Sequence, residues 1–102
     1  MIYIFWTCVS REEAVTLIRG LLEQKLIACA SLLGQVESFY WWQGKIEEGK
    51  EVKVLLKTKS AHFNAICAYI IKHGSYQVPE IAQVTTSAVY PPYLAWLNEN
   101  TN

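Results

Sequence analysis

The chain has 102 residues, 52% of them hydrophobic and only 18% charged, which is the length of one domain with a polar surface thin for a monomer. Nine basic residues balance nine acidic ones, so the footprint that nucleic-acid or anionic-membrane binding leaves is excluded. All nine acids are glutamates, which removes EF-hand loops, paired-aspartate sites and Asp-bearing catalytic triads in their usual forms.

Residues 1–102 read as a single domain. Ile2 to Thr7 is a short run of β-branched and aromatic residues, a buried central strand. Met1 to Val9 is too short to span a bilayer and has no basic flank, so neither a signal nor an anchor is expected. Ser10 with Glu13 three residues on forms a capping box, and Ala14, Ile18, Leu21 and Leu22 make the apolar stripe of a helix ending near Lys25.

The stretch from Val36 to Thr58 reads as a long hairpin turning at Gln43-Gly44. Its first arm carries Phe39, Tyr40, Trp41 and Trp42 in a row, apolar on both faces and in want of cover on both. Its second arm sets Val52, Val54 and Leu56 against Lys53, Leu55 and Lys57, and Gly49 marks a bulge or kink. If the first arm is continuous from Cys29 with a bend at Gly34, it spans roughly 45 Å at about 3.3 Å per residue. A compact chain of this size has a radius of gyration of only about 13 Å. The aromatic end should therefore overreach its own subunit, and another copy of the chain is the simplest cover.

Ser60 is a new N-cap, and Phe63, Ile66, Cys67, Ile70 and Ile71 follow helical spacing to Gly74, placed for a left-handed C-cap. Ile81 to Thr86 is a fourth strand. Pro91-Pro92 then open a short terminal helix with Leu94 and Leu97 on one side. Strand, helix, strand, strand, helix, strand is a split βαβ order: a four-stranded antiparallel sheet with both helices on one face and the other face bare. The bare face is a second argument for an oligomer.

No GxSxG, HExxH, P-loop or GxGxxG is present, which argues against an enzyme. Cys8, Cys29 and Cys67 are an odd, widely spaced set, read as reduced thiols in a cytoplasmic protein. Cys67 is core; Cys29 is core or faces a cleft. Cys8, just before a helix N-terminus, is where a lowered thiol pKa is physically reasonable, although no base stands beside it in the sequence. His62 and His73, at opposite ends of one helix, cannot share a metal within the chain, and His73 complements the helix dipole. Lys45, Glu47, Lys57 and Glu80 are the charges of interest. Lys57 in an apolar strand and Glu80 after Pro79 are expected to be buried and so to pair or shift protonation, either as a structural ion pair at a subunit interface or as a small polar pocket between subunits.

Several segments in order carry a resemblance: Ala28-Cys29, Tyr40 to Glu47, Leu56-Lys57-Thr58, Tyr76 to Ile81 and Tyr93 to Leu97. Together they resemble the CutA divalent-cation-tolerance proteins over nearly the whole chain. The resemblance implies an α+β, ferredoxin-like subunit, a homotrimer similar to that of PII-type signalling proteins, and no catalysed reaction. It also implies a cleft between subunits for copper, another divalent cation or a small ligand. Candidate cleft residues are Tyr40, Trp42, Lys45, Glu47, Lys57, Tyr76 and Glu80, and candidate metal ligands are Cys29, His73 and Glu80, since copper favours nitrogen and sulfur donors. This chain departs from the family pattern in having Gly74-Ser75 where many members have His-Pro, Trp6 where some bacterial members have cysteine, and Ser31 where asparagine is frequent. The alternative is a PII-like regulatory or structural interaction module without a metal site. An RNA-binding sheet would need stacking aromatics and basic residues on the third strand, and Lys53 to Lys57 lacks them. An acylphosphatase-like hydrolase would need a glycine-lined loop before the first helix, and Cys8-Val9-Ser10 is not one.

Overall fold

Alternating burial along the first strand sets the architecture. In the computed structural model, which describes all 102 residues, strand β1 (Ile2–Cys8) turns Ile2, Ile4, Trp6 and Cys8 inward, every one essentially without solvent contact. They meet Val54 and Leu56 of β3 (Lys45–Thr58), Ala14, Leu17 and Leu21 of helix α1 (Arg11–Glu23), and Ile66 and Ile70 of α2 (Phe63–His73). Both helices therefore lie on one face of the sheet. Strand β2 (Cys29–Trp42) pairs with β3, β3 with β1, and β1 with β4 (Ile81–Thr85), all antiparallel, giving the order β2-β3-β1-β4. This is the split βαβ arrangement expected from the order of elements.

The hairpin is as long as its residue count implies. Each arm has fourteen residues, and the chain measures 46 × 26 × 22 Å with a radius of gyration of 14.2 Å. Gln43 and Gly44 turn it with positive φ of 51° and 79°, the two-residue loop whose twist matches the flanking strands. β1 ends opposite Val52, so β3 from Glu51 to Lys45 has only β2 beside it. That two-stranded overhang leaves Phe39, Trp41 and Ile46 about two-thirds exposed. The folded surface, 6458 Å², exceeds the roughly 5,900 Å² usual for this mass, as a projecting arm requires.

Five local expectations are corrected. The bulge lies at Leu32/Gly34, where Gly34 takes φ +114°, and not at Gly49, which pairs in register with Ser38. Ser10 accepts from the Glu13 amide at 3.2 Å, but the Glu13 carboxylate points to Ser75 and Cys8 and does not close the reciprocal half of the capping box. Leu17 takes the buried place on α1, while Leu22 faces outward. Ser60 opens a 3-10 turn, Ser60–His62, and α2 starts at Phe63 with no side-chain cap. Gly74 has an extended backbone, not a left-handed one; a Cβ there would lie 2.7 Å from the Ile70 carbonyl, so close approach is what calls for glycine.

The terminal helix α3 (Pro91–Glu99) starts with proline in its first turn and buries Leu97. Its Tyr93 faces Cys29 and Tyr3, so one end of the second sheet face is covered by the chain itself. The rest of that face, with Phe5 and Leu55 half-buried and Ala82 and Val84 exposed, stays open.

Candidate functional site

Strand parity assembles a wide groove. Beyond the bulge, Ser38, Tyr40 and Trp42 of β2 share a sheet face with Glu51 and Lys53 of β3. The segment from Ser75 to Glu80, joining α2 to β4, runs alongside them, and together they enclose a groove of about 750 Å³. Of the candidate cleft residues, Tyr40, Trp42, Tyr76 and Glu80 line it; Lys45, Glu47 and Lys57 do not.

Glu80 is paired, but with Lys53 and not with Lys57. Its carboxylate accepts from the Lys53 ammonium and, at 2.7 Å, from the Thr7 hydroxyl, and its backbone carbonyl accepts from the Thr7 amide at 3.1 Å. The reason is register: Thr7 stands opposite Lys53, whereas Lys57 stands opposite Tyr3, about 13 Å further along the strand. Lys57 instead donates to the Ser31 hydroxyl at 2.7 Å and to the Cys29 thiol at 3.5 Å. The Lys53 ammonium and the Thr7 hydroxyl outweigh burial and hold the Glu80 carboxyl below its ordinary range.

A second cluster lies behind the groove. The Glu13 carboxylate accepts from the Ser75 amide at 3.3 Å, from the Ser75 hydroxyl, and from the Cys8 thiol at 3.3 Å. Burial raises the Glu13 carboxyl, but the Ser75 hydroxyl and amide and the Cys8 thiol overcome it and leave the carboxyl below its ordinary value. Cys8 is the opposite of the activated thiol expected there: burial, with the Glu13 carboxylate adding to it, pushes the thiol up to about 11. Tyr76 faces Glu51 from the loop, and burial together with that carboxylate raises its phenol well above the ordinary value.

Lys53, Thr7, Glu13, Ser75 and Glu51 are site residues that sequence reasoning did not single out. Alternation on β3 places Lys53 and Lys57 on one face, so the signal for a lysine was present; the choice between the two needed the register.

The proposed metal ligands are dispersed. Cys29 sits at the start of β2 beside Lys57, His73 is exposed at the end of α2 with its ring 4.4 Å from that of Tyr69, and Glu80 is in the groove. No three His, Cys, Asp or Glu side chains converge on a point within the chain, so this set does not fit a metal held by one subunit. No helix is long and apolar enough to cross a membrane.

A ferredoxin-like α+β subunit with an overhanging aromatic hairpin and an ion-paired groove at its root defines the class. Comparison with known proteins narrows it: the family model of the CutA1 divalent ion tolerance protein matches residues 2–100, and the chain belongs to that family. The chain is 40% identical over 101 residues to the divalent-cation tolerance protein CutA of Pyrococcus horikoshii, covering 99% of this chain and 98% of that one. It is 37% identical to the CutA homolog of Xenopus laevis and 35% identical to the CutA protein of Mus musculus, over 91% and 95% of its own length. It spans only 62% and 55% of the length of those two animal relatives. The crystal structure of CutA1 from Pyrococcus horikoshii superposes with a TM-score of 0.93 at 38% identity, covering 100% of this chain and 99% of that one. The divalent cation tolerance protein of Thermus thermophilus superposes with a TM-score of 0.94 at 33% identity, covering 100% of both chains. None of these names denotes an enzyme.

Proposed function

We propose that the protein is a non-enzymatic, cytoplasmic homotrimer that serves divalent-cation tolerance by binding copper, another divalent cation or a small ligand at clefts between its subunits. The observation that carries this reading is the overhang: residues 36–42 and 45–51 leave the body of their own subunit with apolar side chains on both faces, next to a groove that one chain leaves open. Two strands alone are marginal in water, and a neighbouring copy would supply the third side of the groove. Since Cys29, His73 and Glu80 do not converge within a subunit, a cation site made from them would draw on more than one chain.

One observation favours the second reading, a PII-like regulatory or structural module without a metal site. Glu80, the one proposed ligand in the groove, is already neutralised by Lys53 and bonded to Thr7, so a cation would have to displace an ammonium. Calorimetric titration of metal-free protein with copper separates the two. Binding heat that is lost in Glu80→Gln supports the cation site; absence of heat up to millimolar copper leaves the regulatory module. Copper affinity unchanged in Glu80→Gln and His73→Ala removes both residues from any site, and Cys29→Ala tests the thiol in the same way.

A further inference from the structure

The groove carries one charge that no cation of the chain answers. Glu51 lines it half-buried, and the chain's single salt bridge joins Lys53 to Glu80. Lys53, two residues on along the same face of β3, is therefore committed to another carboxylate. Lys50 stands opposite Glu37 on the other face, and Lys45 lies about 20 Å away along the strand. What surrounds Glu51 is aromatic. The Tyr76 hydroxyl is turned to its carboxylate, with the Tyr40 phenol also near it, and Tyr40 and Trp42 line the same groove from β2. Gly49, between Glu47 and Glu51 on that face, has no side chain to fill the space. The Tyr40 hydroxyl lies 3.7 Å from where its Cβ would stand, so the surface beside Glu51 stays open.

We propose that the groove takes an organic cation, an alkylated ammonium group seated among the rings of Tyr40, Trp42 and Tyr76 with Glu51 as its counter-charge. This rests on the reading of the groove as a ligand cleft, and it names the class of small ligand. Charge decides against an anion: Glu51 and Glu80 outnumber Lys53 in the lining, and the Lys53 ammonium is already neutralised. A divalent ion is the poorer fit to Glu51, because it needs several oxygen, nitrogen or sulfur ligands in place of its water. No three acidic, imidazole or thiol groups converge within the chain. An alkylated ammonium needs no such set. Its charge is attracted by aromatic ring faces, tryptophan's most strongly, and by a single carboxylate. The volume of about 750 Å³ falls within the range of roughly 300–1,000 Å³ usual for small-molecule sites.

Tetramethylammonium chloride is the probe, tert-butanol its uncharged counterpart of similar shape, and sodium chloride the control for ionic strength. Each is titrated into the intact protein, and binding is read from backbone amide shifts in NMR spectra. The expected result is saturable shifts at residues 38–42 and 75–80 with tetramethylammonium, none with sodium chloride, and unmoved amides in α1. Affinity for tert-butanol should be lower on the order of tenfold, a comparison that needs no variant. Glu51→Gln, which keeps the side chain's shape, should weaken tetramethylammonium binding on the order of tenfold. Tyr40→Leu should weaken it about fivefold, the worth of one cation–π contact. Light scattering first checks that each variant keeps the wild-type mass. The proposal is overturned if Glu51→Gln of wild-type mass binds tetramethylammonium as tightly as the wild type does, or if tert-butanol binds as tightly as tetramethylammonium. In the second case the groove is still a ligand cleft, and only its preference for a cation fails. If no probe shifts the groove, the reading of it as a small-ligand cleft fails as well. Copper binding is read separately, by its own heat.

Discussion

Thr58 shows how a single polar atom is accommodated in this core. It is fully buried opposite Ile2, and its hydroxyl donates to the Leu26 carbonyl at 2.6 Å, joining the end of β3 to the loop after α1. Thr58→Val keeps the shape and removes the donor, leaving the part-buried Leu26 carbonyl short of a partner. The expected loss is about 1–2 kcal/mol, read from the urea midpoint at fixed protein concentration. At this scale the sequence was legible in kind and not in pairing. Glu80 was identifiable as a charge of interest from its place after Pro79 at the mouth of a strand, but the burial expected of it is not found: its side chain is 48% exposed. Its partner was misassigned because Lys53 and Lys57 are equivalent under strand alternation, and only the β1–β3 register tells them apart. Cys8 misled for a related reason: proximity to a helix start suggested activation, while its inward side of β1 and the Glu13 carboxylate raise the thiol.

Among the elements, the hairpin carries the most information in its sequence. Its length follows from strand spacing, and its turn at Gln43-Gly44 and bend at Gly34 from glycine's tolerance of positive φ, although Gln43 takes positive φ as well. The sequence offers two glycines within the arms, and nothing local separates a bulge glycine from one in regular pairing. The structure does: Gly34 sits at φ +114° with open space around it, whereas Gly49 pairs with Ser38, and a Cβ added there would meet only the Tyr40 hydroxyl, 3.7 Å away. Gly34→Ala should therefore cost about 1–2 kcal/mol from backbone strain alone. Gly49→Ala should change stability by no more than about 0.5 kcal/mol. Equal losses at the two positions in denaturant titrations would contradict the placement of the bulge. The helices were legible from apolar spacing, but their ends were not. Ser60 resembles a cap and Gly74 a left-handed stop, yet the 3-10 turn moves the start of α2 to Phe63, and the Ile70 carbonyl crowds Gly74 in an extended conformation.

On the scale of the whole molecule, sixteen of 102 residues are buried, a small core for a chain that is half hydrophobic. Phe39, Trp41 and Ile46 on one face of the overhang, and the open sheet face around Phe5 and Leu55, are where that apolar surface lies. Burial of one such aromatic contributes several kcal/mol at about 25 cal/mol per Å² before ordering costs, and in a symmetric assembly each contact is repeated. The central claim is that copies of this chain cover one another there and complete the groove. Light scattering at micromolar concentration, on the wild-type protein and on Trp42→Ala, tests it most directly. The account predicts a wild-type particle of three times the 11.7 kDa chain mass, with Trp42→Ala shifted toward smaller species and melting at a lower temperature, since folding and association are linked. A wild-type mass equal to that of one chain would contradict it.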